Sequence, residues 1–399
     1  MCPPGRSEAA RRGSVPRMTL ANADPGSRHP LRIAGTPIPV LGTARVYVCG
    51  ITPYDTTHMG HAATFVWADM AARVLRLTGC EVEVCRNITD VDDHLLEQAR
   101  DKGVPWKSLA TQQTYRFERD MQELGIGQPA YEPRSHDHVD GVIALAQELV
   151  SRGAAYERKG TVYFRGKGVA ESAGVARDEA IALAQERGGR PEDPDKDDPL
   201  DASLWVRSER GEPAWPSPWG EGRPGWHAEC TAMALTTLGP ALDLHAGGAD
   251  LAFPHHAYEA AQAEAYTGVR PFSRSWMHVG AVMTGGTKMA KSTGNLVFVH
   301  ELLDRFSPAA LRLLVLSRRY DQAWELGDQA IADAERELEE LRSLMGVPGG
   351  SEAELSEVRR ALLDDLDLPR ALAVAKDAGG GVLSDLMNLL GLTRIDEWY

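Results

Sequence analysis

The chain has 399 residues, 43% of them hydrophobic, and carries 43 Lys+Arg against 57 Asp+Glu for a formal charge of −14. That length supports two or three buried cores, and the acidic balance argues against a protein whose main task is to grip a phosphate backbone. No apolar run reaches the ~18 residues of a membrane span, and the opening MCPPGRSEAARRGSVPRM lacks the apolar core of a secretory signal. The five cysteines (Cys2, Cys49, Cys80, Cys85, Cys230) are odd in number and scattered, so a cytoplasmic, disulfide-free globular protein is expected.

Residues 1–32 are rich in Arg, Pro, Ser and Gly without apolar periodicity and are predicted to form a flexible arm, within which Met18 offers an alternative start. The β-branched run ARVYVCG then predicts a strand, and HAATFVWADMAARVLRLTG predicts a helix stopped by Gly79. EVEVCRNITD predicts a second strand. Strand, helix and strand in this order form a βαβ unit, which implies a parallel sheet with a ligand crevice at the strands' carboxyl ends. Helical patterns follow over about 92–126 and 137–153, then GTVYFRG as an isolated strand. Residues 186–201, ERGGRPEDPDKDDPLD, are dense in Pro, Gly and charge and predict a loop. A second α/β stretch comprises the helix GWHAECTAMALTTLG, the strand and turn ALDLHAGGADLAF and the helix HHAYEAAQAEAYTG. After VGAVMTGGTKMAKSTGN the chain reads as helical to its end, with a Gly/Pro break at GVPGGS and no internal repeat.

Several residues at the edges of these elements carry chemistry. Cys49 ends a strand, Cys230 lies on a helix and the pair His255/His256 opens another. Thiolate and imidazole are favoured zinc ligands, and three protein ligands leave a fourth position open for substrate. Glu259 falls one helical turn after His255, on the same face, as a fourth ligand or a group behind the ligands. The dispersed spacing equally suits small buried cysteines and polar groups at a helix start, so the residues alone leave both readings open.

His58 and His61 flank Met59 and Gly60 where the first strand hands over to the first helix. Backbone N–H groups and the positive helix end favour an anion there, Gly60 permits close approach, and imidazoles can donate to phosphoryl oxygens. Lys288 and Lys291 sit in the Gly/Ser/Thr-rich segment GGTKMAKSTGN, which reads either as a loop folding over a triphosphate or as a solvated surface loop.

The order of these features resembles class I aminoacyl-tRNA synthetases, whose HIGH and KMSKS motifs are similar to HMGH and KMAKS here. CGITPYD, NITDVDD, GWHAEC, GGADLAFPHH and KMAKS, in that order, resemble the cysteine branch over roughly residues 33–320. The resemblance implies an α/β, Rossmann-like class I catalytic domain (33–130 and 215–300), an inserted connective subdomain (131–214) and a C-terminal α-helical domain (301–399), after the arm of residues 1–32.

Two members of that branch make cysteinyl-adenylate from L-cysteine and ATP and differ in the acceptor: cysteinyl-tRNA synthetases, and the shorter cysteine ligases of mycothiol biosynthesis, which use the amine of glucosaminyl-inositol. The Ile-Thr-Pro-Tyr-Asp run after Gly50, the segment ERGGRP and the short tail after Ser292 resemble the ligases. Arg190 stands where their ERGGDP motif has Asp, Ala290 replaces the usual Ser of KMSKS, and Ala257 replaces a glutamate usual in both groups. Glu259 matches the ligand typical of the tRNA enzymes. A tRNA acceptor, or another amine used by a divergent paralogue, is therefore the alternative.

By that resemblance Zn²⁺ is held by Cys49, Cys230 and His255 with Glu259 on or near it, and substrate cysteine binds through its thiolate. Thr52 and Trp226 line the amino-acid pocket and Asp250 faces the cysteine ammonium. Cys49, Gly50, Ile51, Thr64, Asn87, Ile88, Thr89, Gly248, Ala249 and Val282 surround the adenylate. His58, His61, Lys288 and Lys291 act with Mg-ATP on the phosphates. No DNA or membrane partner is implied, and a monomer is expected.

Overall fold

The structure, a computed structural model, describes residues 19–20, 29–54, 57–289 and 294–393. Most of the expected arm, together with Ala290 and Lys291, lies outside the described residues.

A short antiparallel pair, β1 (Leu31–Ile33) and β2 (Thr36–Ile38), precedes the βαβ unit of β3 (Thr43–Ile51), α1 (Met59–Leu77) and β4 (Glu81–Ile88). β3 and β4 pair in parallel. α1 is apolar nearly all round and is correspondingly buried, from Met59 through Phe65, Trp67 and Met70 to Leu75. The single helical stretch expected over 92–126 is two helices, α2 (Asp93–Asp101) and α3 (Trp106–Glu123), because Gly103 turns at φ +63° and Pro105 cannot continue a helix. Helix α4 (Val139–Ser151) follows.

The strand GTVYFRG is not isolated. β5 (Ala155–Arg158), β6 (Thr161–Phe164), β7 (Ala202–Arg207) and β8 (Gly222–Pro224) form an antiparallel sheet in that order, with α5 (Val169–Ser172) and α6 (Arg177–Glu186) between β6 and β7. Because β8 pairs with β7, this inserted sheet runs past residue 214. Leu145, Leu149, Val162, Leu204 and Trp205 give it a core of its own.

Helix α7 (Trp226–Leu238), strand β9 (Leu242–Gly248) and helix α8 (Ala257–Thr267) return the chain to the parallel sheet, which β10 (Ser273–Val279) completes in the order β10-β9-β3-β4. β10 was not predicted. Its inward positions include Ser273 and Ser275, so the strand shows little apolar alternation. The Ser275 hydroxyl donates to the Ile33 carbonyl at 3.1 Å instead of resting against apolar neighbours alone.

Beyond the hairpin β11 (Val282–Thr284) and β12 (Thr287–Lys288), the tail consists of α9 (Val299–Leu303), α10 (Pro308–Leu316), α11 (Asp328–Met345), α12 (Glu352–Leu363), α13 (Leu368–Ala378) and α14 (Gly380–Leu390). One strand interrupts it: β13 (Trp324–Glu325) pairs in parallel with β11, which ties the tail to the segment carrying Lys288. The break at GVPGGS separates α11 from α12, whose start is fixed by a Ser351/Glu354 capping box. Buried Arg312 of α10 pairs with Asp69 of α1, and Asp69 also accepts from Arg73 at 2.8 Å, so tail and catalytic sheet share one core. Among the described residues no helix is long and apolar enough to cross a membrane.

Candidate active site

Strand β3 has β4 on one side and β9 on the other, so the chain leaves the sheet in opposite directions at its carboxyl edge. A crevice is expected at such a switch point. A cavity of about 1310 Å³ opens there, walled by the carboxyl ends of β3, β4 and β9, the starts of α1 and α7, and the inserted sheet with the loop 186–201.

At one end lie the sulfurs of Cys49 and Cys230. Cys49 Sγ, Cys230 Sγ, a His255 ring nitrogen and a Glu259 oxygen all fall within 4.8 Å of one another, and all four residues are buried. Cys49 Sγ is 3.5 Å from Glu259 Oε1, and His255 Nε2 is 2.9 Å from the same oxygen. The other Glu259 oxygen lies 2.6 Å from His245 Nε2. Asn87 Nδ2 donates to Cys230 Sγ at 3.3 Å while its Oδ1 accepts from the Gly50 N–H at 2.8 Å, which locks β3, β4 and α7 together. A Cβ on Gly50 would fall 1.6 Å from the Asn87 carbonyl oxygen, so only glycine fits. Trp226 stacks on His255 with ring centres 4.1 Å apart.

The protonation pattern follows from these contacts. Burial pushes the Cys49 thiol up, with the hydrogen bond to Cys230 and the Glu259 charge adding to it. Burial works in the same direction on Cys230, but the hydrogen bond from Cys49 and the His255 charge outweigh it and hold this thiol below its ordinary value. Burial opposes charge on His255 too, yet the Glu259 carboxylate brings it up to about 10. Two cysteine sulfurs, an imidazole and a carboxylate packed within 4.8 Å of one another form a donor set that would suit a divalent cation, and its softness suits zinc. A second set, Cys49, His245, His256 and Glu259, meets the same distance limit. Cys49, Cys230 and His255 line the cavity, whereas His245 and His256 sit behind it, so the first set is the one a substrate can reach.

At the other end are the helix start and the lysine hairpin. His58 caps α1 by accepting the Gly60 N–H on Nδ1 at 3.1 Å, so its proton resides on Nε2, free to donate. The His61 ring stacks on it at 3.9 Å. Burial, then the nearby His61 and Lys288 charges, lower His58 to about 2, and burial lowers His61 to about 4. Both rings are therefore neutral hydrogen-bonding groups at neutral pH. Lys288 Nζ lies 2.8 Å from Asp250 Oδ2, and Arg187 Nη1 reaches the same oxygen at 2.9 Å. Burial favours the neutral acid, but Lys288 and then Arg187 hold Asp250 below the usual carboxylate range.

Between the two ends, Gly50, Thr52, Thr64, Asn87, Thr89, Trp226, Gly248 and Val282 line the wall, and the Thr52 and Thr89 hydroxyls meet at 2.8 Å. Ile51 and Ile88 pair across the β3/β4 ladder and contribute backbone instead of wall, the Ile51 carbonyl accepting the Thr89 N–H at 2.9 Å. Ala249 opens the turn that carries Asp250. Arg190 lines the cavity. Asp250, expected to face an ammonium group, is here engaged by two side-chain cations. Sequence reasoning missed Arg187 as its partner, His227 as the 2.8 Å neighbour of His255, and His245 behind Glu259. His227 could have been found one residue after Trp226 in GWHAEC; the other two gave no spacing signal.

The family model described as "tRNA synthetases class I (C) catalytic domain" matches residues 39–336. Among similar proteins, the L-cysteine:1D-myo-inositol 2-amino-2-deoxy-alpha-D-glucopyranoside ligase of Streptomyces griseus is 46% identical over 86% of this chain and 85% of its own. The protein of the same name from Streptosporangium roseum is 42% identical over 92% and 93%. In fold, the chain is similar to Mycobacterium tuberculosis methionyl-tRNA synthetase in complex with methionyl-adenylate, with a TM-score of 0.63 at 18% identity, covering 87% of this chain and 83% of that one. A parallel-sheet catalytic domain with its cavity at the switch point, matched in sequence over most of its length by these ligases, makes the chain an enzyme of the class I synthetase superfamily that belongs to the L-cysteine:1D-myo-inositol 2-amino-2-deoxy-alpha-D-glucopyranoside ligase family.

Proposed function

We propose that this chain is an ATP-dependent, AMP-forming ligase that activates L-cysteine as cysteinyl-adenylate and transfers it to the amine of glucosaminyl-inositol. The observation that carries the reading is one cavity with a thiol-imidazole-carboxylate cluster at one end and a paired-histidine helix start with Lys288 at the other. The names of the relatives supply the acceptor.

Cys49, Cys230 and His255 would hold Zn²⁺, with Glu259 as a fourth ligand or as the carboxylate that orients His255. Bound there, zinc supplies a soft position for a thiolate, which distinguishes cysteine from serine without editing. Trp226 and Thr52 shape the amino-acid pocket, and Asp250 exchanges a side-chain cation for the cysteine ammonium. Gly50, Thr64, Asn87, Thr89, Gly248 and Val282 enclose the adenylate, with the Ile51, Ile88 and Ala249 backbones beside them.

In the first step a cysteine carboxylate oxygen attacks the α-phosphorus of Mg-ATP and the bond to pyrophosphate breaks. The His58 Nε2–H, His61, Lys288 and Lys291 receive the charge that develops, so catalysis is positional and electrostatic. In the second step the neutral acceptor nitrogen attacks the activated carbonyl, the bond to AMP breaks, and the nitrogen gives up one proton as the amide forms. The enzyme is proposed to act in the cytoplasm as a monomer, with the catalytic domain, insert and helical tail divided as the sequence suggests except that the insert extends to include β8.

Cysteine-dependent exchange of pyrophosphate into ATP tests the activation step. Exchange with cysteine and none with serine is expected from zinc-loaded protein; absence of exchange with cysteine would remove the proposal.

A further inference from the structure

Three side chains on the cavity wall carry buried polar atoms that lack a hydrogen-bond partner among the described residues: the half-buried Arg187, through Nε, and the fully buried Glu229 and Arg223. Among the described residues both carboxyl oxygens of Glu229, 1% exposed, and Nε of Arg223, 5% exposed, lack a partner in hydrogen-bond geometry; the Ser135 hydroxyl beside Glu229 donates to the Ile88 carbonyl at 3.4 Å instead. Groups left this way are costly, and a wall that carries them is complementary to a ligand that fills both needs. One offers acceptors and the other a donor.

Their location separates them from the phosphates. Glu229 lies in the first turn of α7, after Trp226 and directly before Cys230, beside the amino-acid pocket. It stands within electrostatic reach of Asp92 and Asp90, while Arg223 Nη2 reaches Asp93 Oδ1 at 2.7 Å. The two unpaired groups therefore flank the start of α2. Asp250, the cavity carboxylate proposed for the cysteine ammonium, already has Arg187 and Lys288. The cavity, at about 1310 Å³, also exceeds the upper range of about 1,000 Å³ for a pocket built for one small ligand, so it has room for a second substrate beside the adenylate.

We infer that Glu229 is the residue that hydrogen-bonds the amino group of the acceptor, with Arg223 Nε donating to a neighbouring hydroxyl of the same molecule. A primary amine offers both N–H donors and a lone pair, which complements a buried carboxyl group with its proton on or off, and a polyhydroxylated sugar amine supplies the oxygen that Arg223 lacks. This assignment rests on the amine-acceptor reading above. Glu229 is then a specificity residue of the second step, separate from the residues that act in the first.

The test uses zinc-loaded full-length protein, with glucosaminyl-inositol as the acceptor probe, and measures exchange and transfer side by side. Glu229→Gln is expected to raise the acceptor KM at least about tenfold while the KM for cysteine and ATP in exchange moves less than about threefold. Glu229→Asp keeps both oxygens but draws them back, and should fall between Gln and wild type. An unchanged acceptor KM in both variants, or a cysteine KM that rises as far as the acceptor KM, overturns the assignment. If the Gln variant loses metal or unfolds, the Asp variant decides by the same ratio. Wild-type protein that shows exchange but no transfer to the amine overturns the acceptor reading together with this assignment, whereas wild-type transfer that the variants share overturns the assignment alone.

Discussion

At one end of the cavity Cys49, Cys230, His255 and Glu259 are buried and touch one another; at the other, Lys288 is 43% exposed on a two-residue strand and shares Asp250 with Arg187. The first end is preorganised. Its geometry is set by β3, α7 and α8, with Asn87 tying sheet to helix, and it suits a task in which a single atom type must be chosen. The second end is adjustable. An ammonium group on a long stem can leave one carboxylate for a phosphate without rearranging a core, which suits a site whose charge changes as ATP arrives and pyrophosphate leaves. Under the proposed function, selection and charge handling would fall to regions that differ in burial and packing.

The contrast predicts a ranked set of effects. Cys230→Ser should lose bound zinc and lower cysteine-dependent exchange by about 1,000-fold, beyond the ~10–100-fold expected for a group that only supports a ligand. Metal analysis checks it, and stoichiometric zinc in the variant would show that the rigid end is not a metal site. Lys288→Ala should lower the exchange rate by about 100-fold with zinc retained and the cysteine KM little changed. A loss of zinc in that variant would mean that the two ends are not independent.

A pH series separates the ends through stability. His61 is about 4 in the folded protein and near 6.5 when unfolded, so the unfolded chain binds more protons between those values. The stability tied to its neutral ring is present above pH ~6.5 and is lost as pH falls toward 4, and His58, lower still, adds to the same slope. Urea unfolding between pH 7.5 and 5 should therefore cost wild-type protein more than His61→Asn, and parallel curves would contradict this. Replacing His58 with Ala removes the α1 cap and should cost about 1 kcal/mol at neutral pH. The smallest effect is expected for Arg187→Gln, since partly exposed ion pairs contribute ~0–1 kcal/mol: a rise in ATP KM of no more than about fivefold, with zinc unaffected.

Legibility in the sequence followed apolar periodicity. β3, α1, β4, α7 and α8 announce themselves because one face or the whole element is apolar. β10 does not, since Ser273 and Ser275 occupy inward positions, and β13 is two residues long with no pattern to detect. At the site, Cys49, Cys230 and His255 are far apart in the chain and share no local spacing; only the order of motifs suggested that they converge. The Arg187–Asp250 pair was illegible for a different reason. The loop 186–201 was expected from composition, but its direction is set by side chains such as Tyr163, which donates to Asp193 at 2.9 Å, and composition carries no information about that.

The central claim is that a cysteine activated at the rigid end is delivered to an amine. It is tested most directly by offering zinc-loaded protein, L-cysteine and ATP to glucosaminyl-inositol and to tRNA in parallel and measuring the product formed. Amide formation with the sugar amine and no charged tRNA is predicted; charging of tRNA with no amide would contradict it.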